Sequence, residues 1–250
     1  MRTASVTWPA CATAWPPRSA AGPPRIWCST AATSTGSWRS PGTSAPAAGD
    51  GSALLLARGF FARPAPQVAA DLLGKLLTKP SEGLVARIVE TEAYQQDDPA
   101  CHAYQRRTAR NEPLYGPPGH AYVYFSYGMH WCLNIATGTD GIAEGCLLRA
   151  AVPLEGLHCM RRRRGSARDR DLLRGPGRLG QAYGLQREHS GSDVCGQGPI
   201  RFADDGCRPE TASGPRVGVS VAADTPWRFW VPSSPWVSSY KRSPRAPAPQ

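Results

Sequence analysis

The 250-residue chain holds no apolar run approaching the roughly 20 residues a membrane helix needs. Its N-terminus also lacks the apolar core of a signal peptide. An intracellular protein without a membrane partner is therefore expected, in the cytoplasm or nucleoid if the source is bacterial. Eight cysteines are present, yet none forms a Cys-x-x-Cys pair. In a chain this long without a secretion signal they read as small buried hydrophobes and incidental thiols, not a disulfide framework. The His-x-Glu and Pro-Cys-x-x-Cys elements of zinc nucleobase deaminases are missing, as are a P-loop and a His-Glu-x-x-His. Residues 1–52 contain no leucine, and Met1, Val6 and Ile26 are their sole aliphatic side chains of that size. Such a segment cannot bury enough apolar surface to offset its ordering entropy, so it is expected to be disordered. Its Trp-, Pro-, Arg- and Ala-rich composition also matches a GC-rich stretch translated from a wrong start or frame.

What is present is positive charge. The formal balance of 29 Lys+Arg against 19 Asp+Glu gives +10. The first 52 residues carry just four arginines and Asp50, so most of the excess belongs to the remainder. A polyanionic partner suits that balance, nucleic acid first and an acidic membrane surface second. From Leu54 the pattern becomes globular. Val68, Leu72, Leu73 and Leu76 predict a helix over 66–77. Residues 84–93 predict a central strand, apolar on both faces. Residues 120–127 and 130–136 predict two strands around Gly128, and 145–152 is another apolar run. Pro153 is expected to open a helix to about Arg164, with arginines at the end that favours cations. Strands are expected near 199–203, 216–222 and 228–232, and a flexible basic tail over 241–250. The picture is a mixed α/β or α+β single domain over about 54–240, with a disordered N-terminal segment.

Some residues invite a chemical reading. Glu90 and Glu92 share a strand face and are costly to bury without a partner or a task; taken alone, both could simply mark a solvated strand end. Tyr122, Tyr124 and Tyr127 crowd six residues, and with Tyr94 and His102 offer aromatic planes on which nucleobases stack. They could equally be ordinary strand residues. Asn134 and Arg149 lie inside apolar runs and need buried partners or a site. Eight arginines between 161 and 178, Arg161, Arg162 and Arg178 among them, suit phosphate contacts, or a solvated helix end. Gly175-Pro-Gly177-Arg-Leu-Gly180 matches a dinucleotide-binding spacing, but a polar Arg-rich segment precedes it instead of a strand. The turn could still hold a backbone phosphate.

Together these pieces resemble the alkyladenine (3-methyladenine) DNA glycosylase family. The matching stretches are Arg87–Tyr94, His102, Ala121–Tyr124, Tyr127-Gly-Met129, Cys132-Leu-Asn134, Leu147-Leu-Arg149, Pro153–Gly156, Gly175-Pro176 with Arg178-Leu179, Arg216-Val-Gly218 and Ser234-Pro-Trp-Val237. They run in family order over about 180 residues, leaving 1–52 uncovered. Two positions depart: the Tyr94–His102 spacing is one residue short, and His130 stands where an aromatic is usual. The resemblance implies an α+β fold, a single domain of mixed helices around a curved antiparallel sheet, and a glycosylase domain over 54–240 that would hydrolyse the N-glycosidic bond of alkylated or deaminated purines in duplex DNA. It would act without metal or cofactor, as a monomer, and leave an abasic site. It implies Glu92 as general base, Arg149 as holder of water and carboxylate, and Tyr94, His102 and Tyr124 as the sandwich around a flipped base. Asn134 would lie against the base edge. Tyr127 would fill the vacated stack, with Met129, Arg161, Arg162, Gly175 and Arg178 also on DNA. Two other readings are a non-catalytic nucleic-acid binder that kept the fold, and an RNA-modifying or formyltransferase-like domain.

Overall fold

The computed structural model describes residues 53–248. The segment 1–52, expected to be disordered, and residues 249–250 lie outside the described residues. The frame is a nine-stranded antiparallel sheet: β1 (Leu54–Leu55), β2 (Leu76–Lys79), β3 (Leu84–Tyr94), β4 (Ala121–Ser126), β5 (His130–Ala136), β6 (Gly145–Glu155), β7 (Arg201–Asp204), β8 (Ala212–Gly214) and β9 (Arg228–Trp230). Its main order is β1-β7-β2-β3-β6-β5-β4. The sheet forks at β3, whose first half pairs with β2 while Glu90–Glu92 pair with β9, itself paired with β8. Helices α1 (Arg58–Phe61), α2 (Ala65–Asp71), α3 (Leu157–Arg164) and α4 (Pro176–Ala182) complete the domain. The expected α+β class around a curved antiparallel sheet is what forms.

β3 and β6 are the long central pair, and their register slips on both sides of Glu90. Ile88 faces Ala151, Glu90 faces Ala150 and Thr91 faces Leu148, so Val89 and Arg149 are left out of the pairing. Such irregularities bend strands and re-aim side chains. Up to Ile88 the apolar core positions of β3 are Leu84, Ala86 and Ile88; past the slip Thr91 gives its hydroxyl to Ala69 of α2, and Ala93 packs in the core. The slip therefore frees Glu90, Glu92 and Tyr94 to share the other face. Helix α4 lies so close to β5 that a Cβ at Gly180 would come within 1.9 Å of the Trp131 carbonyl oxygen. That contact holds Pro176 at the open face of the sheet.

Four expectations are corrected. The helix expected over 66–77 stops at Asp71: Gly74 adopts φ 85°, and Leu76 and Leu77 enter β2. Pro153 opens no helix; it sits in β6 opposite Ala86, at a register shift where a missing N–H is tolerated, and α3 begins after Gly156. Residues 216–222 form no strand; β8 lies earlier, at Ala212–Gly214. The segment from 241, expected as a loose tail, is tied to the body: the Gly218 N–H donates to the Lys241 carbonyl and Arg242 pairs with Asp224. Cys101, Cys132, Cys146 and Cys159 are buried free thiols, in keeping with the small-hydrophobe reading, whereas Cys207 is disulfide-bonded and departs from it.

Candidate active site

Four neighbouring strands bring Glu92, Leu147, Asn134 and Tyr122 into one row, because Glu92 pairs with Leu147, Leu147 with Asn134, and Asn134 with Tyr122. Two residues along each strand the same face carries Tyr94, Arg149, Cys132 and Tyr124. All eight line a cavity of about 410 Å³. His102 and Arg110 close it from the loop after β3, Pro176 from the start of α4, and Val217 to Val219 from the loop before β9.

Glu92 is wholly buried. The Val217 N–H donates to its Oε1 at 2.7 Å and the Tyr94 hydroxyl to its Oε2 at 2.8 Å. Arg149 Nη1 stands 3.2 Å from the same Oε2. Three cationic or polar donors thus fix both oxygens, which is the condition for a buried charge to persist. Glu90 has a different environment. It accepts from Arg149 Nε at 2.9 Å, Arg228 Nε at 2.8 Å, the Ser238 N–H at 2.7 Å and the Ser238 hydroxyl at 2.9 Å. Every donor near Glu90 is a structural partner, so Glu90 anchors Arg149 while Glu92 alone faces the cavity. Burial opposes the Arg149 charge, but Glu92 and Glu90 outweigh it and raise its pKa. Burial, then the Glu92 charge, holds the Tyr94 hydroxyl well above its usual value, so it remains a donor.

The aromatic walls are similarly braced. The buried Arg216 guanidinium lies 4.7 Å from the Tyr94 ring centroid, donates to the Ala93 carbonyl at 3.0 Å, and pairs with buried Asp98. Tyr122 and Tyr124 stack at 5.3 Å, and the His102 ring meets Tyr124 edge-on at 4.6 Å. His102 Nδ1 is 3.1 Å from the Tyr122 hydroxyl. His102 keeps solvent contact as a residue, yet desolvation of the ring, then the Arg110 charge, lowers its pKa. Its imidazole is neutral at pH 7. Burial pushes Tyr122 up to about 12.

At the cavity mouth the β4–β5 hairpin turns through Tyr127 and Gly128, at φ 49° and 66°, closed by the Met129 N–H on the Ser126 carbonyl. Two left-handed residues suit the twist of a hairpin, but the first is a tyrosine, which is rare and strained. Tyr127 is 87% exposed and Met129 68%. The turn thus presents a large apolar pair to solvent at the mouth of the cavity.

The structure gathers Glu92, Tyr94, His102, Tyr124, Tyr127, Asn134 and Arg149 at one cavity. It does not bring Arg161 and Arg162 there. They lie on α3, whose last turn meets the far end of α4 through Arg163 and Ala182. Arg161 is paired with Asp169 and Arg178 with Asp171. The Gly175 N–H donates to the Arg149 carbonyl, so it is not a spare phosphate donor. Val217, Arg216 and Arg228 are the site residues sequence reasoning left without a role. The motif Arg216-Val-Gly218 was visible, but a backbone donor carries no side-chain signature.

A family model described as methylpurine-DNA glycosylase (MPG) matches residues 59–235. Relatives whose names contain 3-methyladenine DNA glycosylase include one from Burkholderia lata, 49% identical over 189 residues, covering 74% of this chain and 91% of that protein. One from Nocardia farcinica is 50% identical over 192 residues, with 73% and 90% covered. One from Carboxydothermus hydrogenoformans is 43% identical over 190 residues, with 74% and 99% covered. With a majority of its length matched, and with the cavity its motifs build, the chain belongs to the methylpurine-DNA glycosylase family of DNA-repair hydrolases.

Proposed function

We propose that the protein extrudes an alkylated or deaminated purine nucleotide from duplex DNA into the Glu92 cavity and hydrolyses its N-glycosidic bond, leaving an abasic site. It acts inside the cell as a monomer, without metal or cofactor. The observation that carries the reading is the wholly buried Glu92 carboxylate, held by Val217 and Tyr94 at the wall of a cavity walled by aromatic rings. The relatives' shared name supports alkylated purines as the first substrate class. A cavity of about 410 Å³ falls within the range of small-molecule sites and takes one purine with its sugar.

Extrusion costs a few kcal/mol of stacking and pairing. Tyr127 offsets that cost by occupying the vacated stack. Inside, the base lies against Tyr94 on one side and His102 with Tyr124 on the other. A cationic alkylated purine gains roughly 0.5–2 kcal/mol from electron-rich rings, and a neutral His102 does not repel it. Asn134, 6% exposed, borders the base edge and disfavours the exocyclic amine of normal guanine. Water then attacks the sugar carbon. Its proton passes to Glu92, and the electron pair of the breaking bond leaves with the purine. A base that carries positive charge departs neutral, so chemistry asks of the enzyme chiefly a positioned carboxylate. Among the described residues the cavity lining contains no lysine, which supports hydrolysis over Schiff-base chemistry.

The test is release of free base from duplexes carrying 3-methyladenine, 7-methylguanine, hypoxanthine or ethenoadenine. Glu92→Gln is expected to lower release by about 10²–10⁴-fold while keeping lesion binding. Release at the unmutated rate would overturn the assignment.

A further inference from the structure

A second cleft, of about 430 Å³, adjoins the base cavity and shares Tyr127, Val217 and Gly218 with it as a partition. Its far wall is the segment Lys241 to Arg245, which lies beyond the stretch matched by the family. The segment is fixed at this place, not loosely tethered. The Gly218 N–H donates to the Lys241 carbonyl at 2.9 Å, and Arg242 clamps Asp224 at 2.6 Å. Arg242 is therefore spent on structure. Lys241 and Arg245 are exposed, line the cleft, and among the described residues have no carboxylate partner. Elsewhere Arg58, Arg161, Arg178 and Arg208 each have one.

We propose that this cleft is a phosphodiester site. Lys241 and Arg245 hold the backbone of the DNA strand within one or two nucleotides of the extruded base, on the far side of the Tyr127 wedge. The argument is one of geometry and charge. A strand whose base enters the first cavity must run past the partition, and successive phosphates of one strand are only about 3.4 Å apart along the helix axis. Two unneutralised cations beside a projecting aromatic, in a cleft open to solvent, meet that path with the charge it needs. Phosphate contacts of this kind position a protein on DNA without reading sequence. Because Gly218 joins the segment to the loop whose next residue back, Val217, holds Glu92, the contact also braces the catalytic carboxylate's support.

The inference rests on the glycosylase reading for its strand path, but its test does not depend on turnover. Binding to a plain duplex and to a lesion duplex is measured against salt for the full chain and for Lys241→Ala/Arg245→Ala, which leaves Arg242 and its ion pair in place. The double variant is expected to bind both duplexes roughly tenfold more weakly at low salt, with the slope of log affinity against log salt shallower by about 2. Lys241→Arg/Arg245→Lys should restore the slope. An unchanged slope overturns the proposal, whatever the activity. Loss of lesion binding alone, with plain duplex unaffected, also overturns it, since a phosphate contact is blind to the base. A wild-type protein that binds DNA with the expected slope yet releases no base would sink the glycosylase reading and leave the cleft standing.

Discussion

The Val217 N–H and the Glu92 carboxylate, 125 residues apart in the chain, meet at 2.7 Å. A backbone amide cannot rotate away, so it fixes Oε1 in a way no flexible side chain would. The other oxygen depends on Tyr94 and Arg149. This division gives a direct test. Tyr94→Phe keeps the ring at the cavity wall, where the proposed function stacks it on the base, but removes the hydroxyl donor. Hydrogen bonds to charged groups contribute about 1.5–3 kcal/mol, so single-turnover release should fall about 10–100-fold. Affinity for a lesion duplex should stay within a few-fold. A variant that loses affinity and keeps its rate would show that Tyr94 stacks but does not position Glu92.

Glu90 should behave in the opposite way to Glu92. Its carboxylate neutralises two buried guanidinium groups, Arg149 and Arg228, and takes both polar hydrogens of Ser238. Glu90→Gln leaves those charges buried without full compensation, a change that costs about 3–5 kcal/mol. Denaturant unfolding should show the loss as a lower midpoint at unchanged slope. Glu92→Gln should cost less, because Glu92 pairs with one arginine and faces a cavity. Equal losses for the two variants would contradict the separation of anchor from catalyst.

Much of this site could be read in the chain because its chemistry sits on strands. Glu90, Glu92 and Tyr94 alternate in one direction, and Tyr122, Tyr124, Cys132 and Asn134 do so on a hairpin whose turn Gly128 announces. Period two then places them on common faces. What could not be read was the register slip that leaves out Val89 and Arg149, since it depends on which residue of β6 faces Glu90. The same limit explains Pro153: a proline after an apolar run looks like a helix start, and only pairing with Ala86 shows a strand that tolerates it. The stretch 216–222 has the apolar alternation of a strand but spends its amides on Glu92 and on Lys241. Leu76 fell at helical spacing by coincidence, beyond the Gly74 turn that ends α2. The arginines of 161–178 were legible as charge but not as distance from the cavity.

His102 supplies a pH dependence whose sign can be worked out. Desolvation and Arg110 lower its pKa below the usual 6.5, so the folded protein takes up the proton later than the unfolded chain as pH falls. Stability from this group is therefore complete at neutral pH and declines as pH drops through 6.5 toward the folded value. The same protonation would place a cation against a cationic base. Using Glu92→Gln to prevent turnover, affinity for a 7-methylguanine duplex should fall on the acid side. Affinity for a hypoxanthine duplex should fall less. With His102→Gln added, the difference between the two lesions should lose its pH dependence. If the difference persists, another group is titrating.

Tyr127 combines backbone strain with exposure, and the two can be separated by one substitution. A tyrosine at φ 49° occupies a conformation that costs a non-glycine residue about 1–2 kcal/mol, and at 87% exposure its ring gains little from burial to compensate. Tyr127→Gly relieves the strain and removes the wedge. Glycine's greater freedom in the unfolded chain takes back part of the gain, so stability should rise by at most about 1 kcal/mol and should not fall. Function should move the other way. Without a side chain to fill the vacated stack, extrusion must bear its full cost of a few kcal/mol, and base release from a paired lesion should drop at least about tenfold. A lesion opposite an abasic site, already poorly stacked, should lose less. Tyr127→Trp should retain release on paired DNA, since another aromatic can fill the gap. A glycine variant that is both less stable and equally active would show that the tyrosine packs the hairpin and does no work on the duplex. More stable and less active is the signature of a strained residue kept for its function.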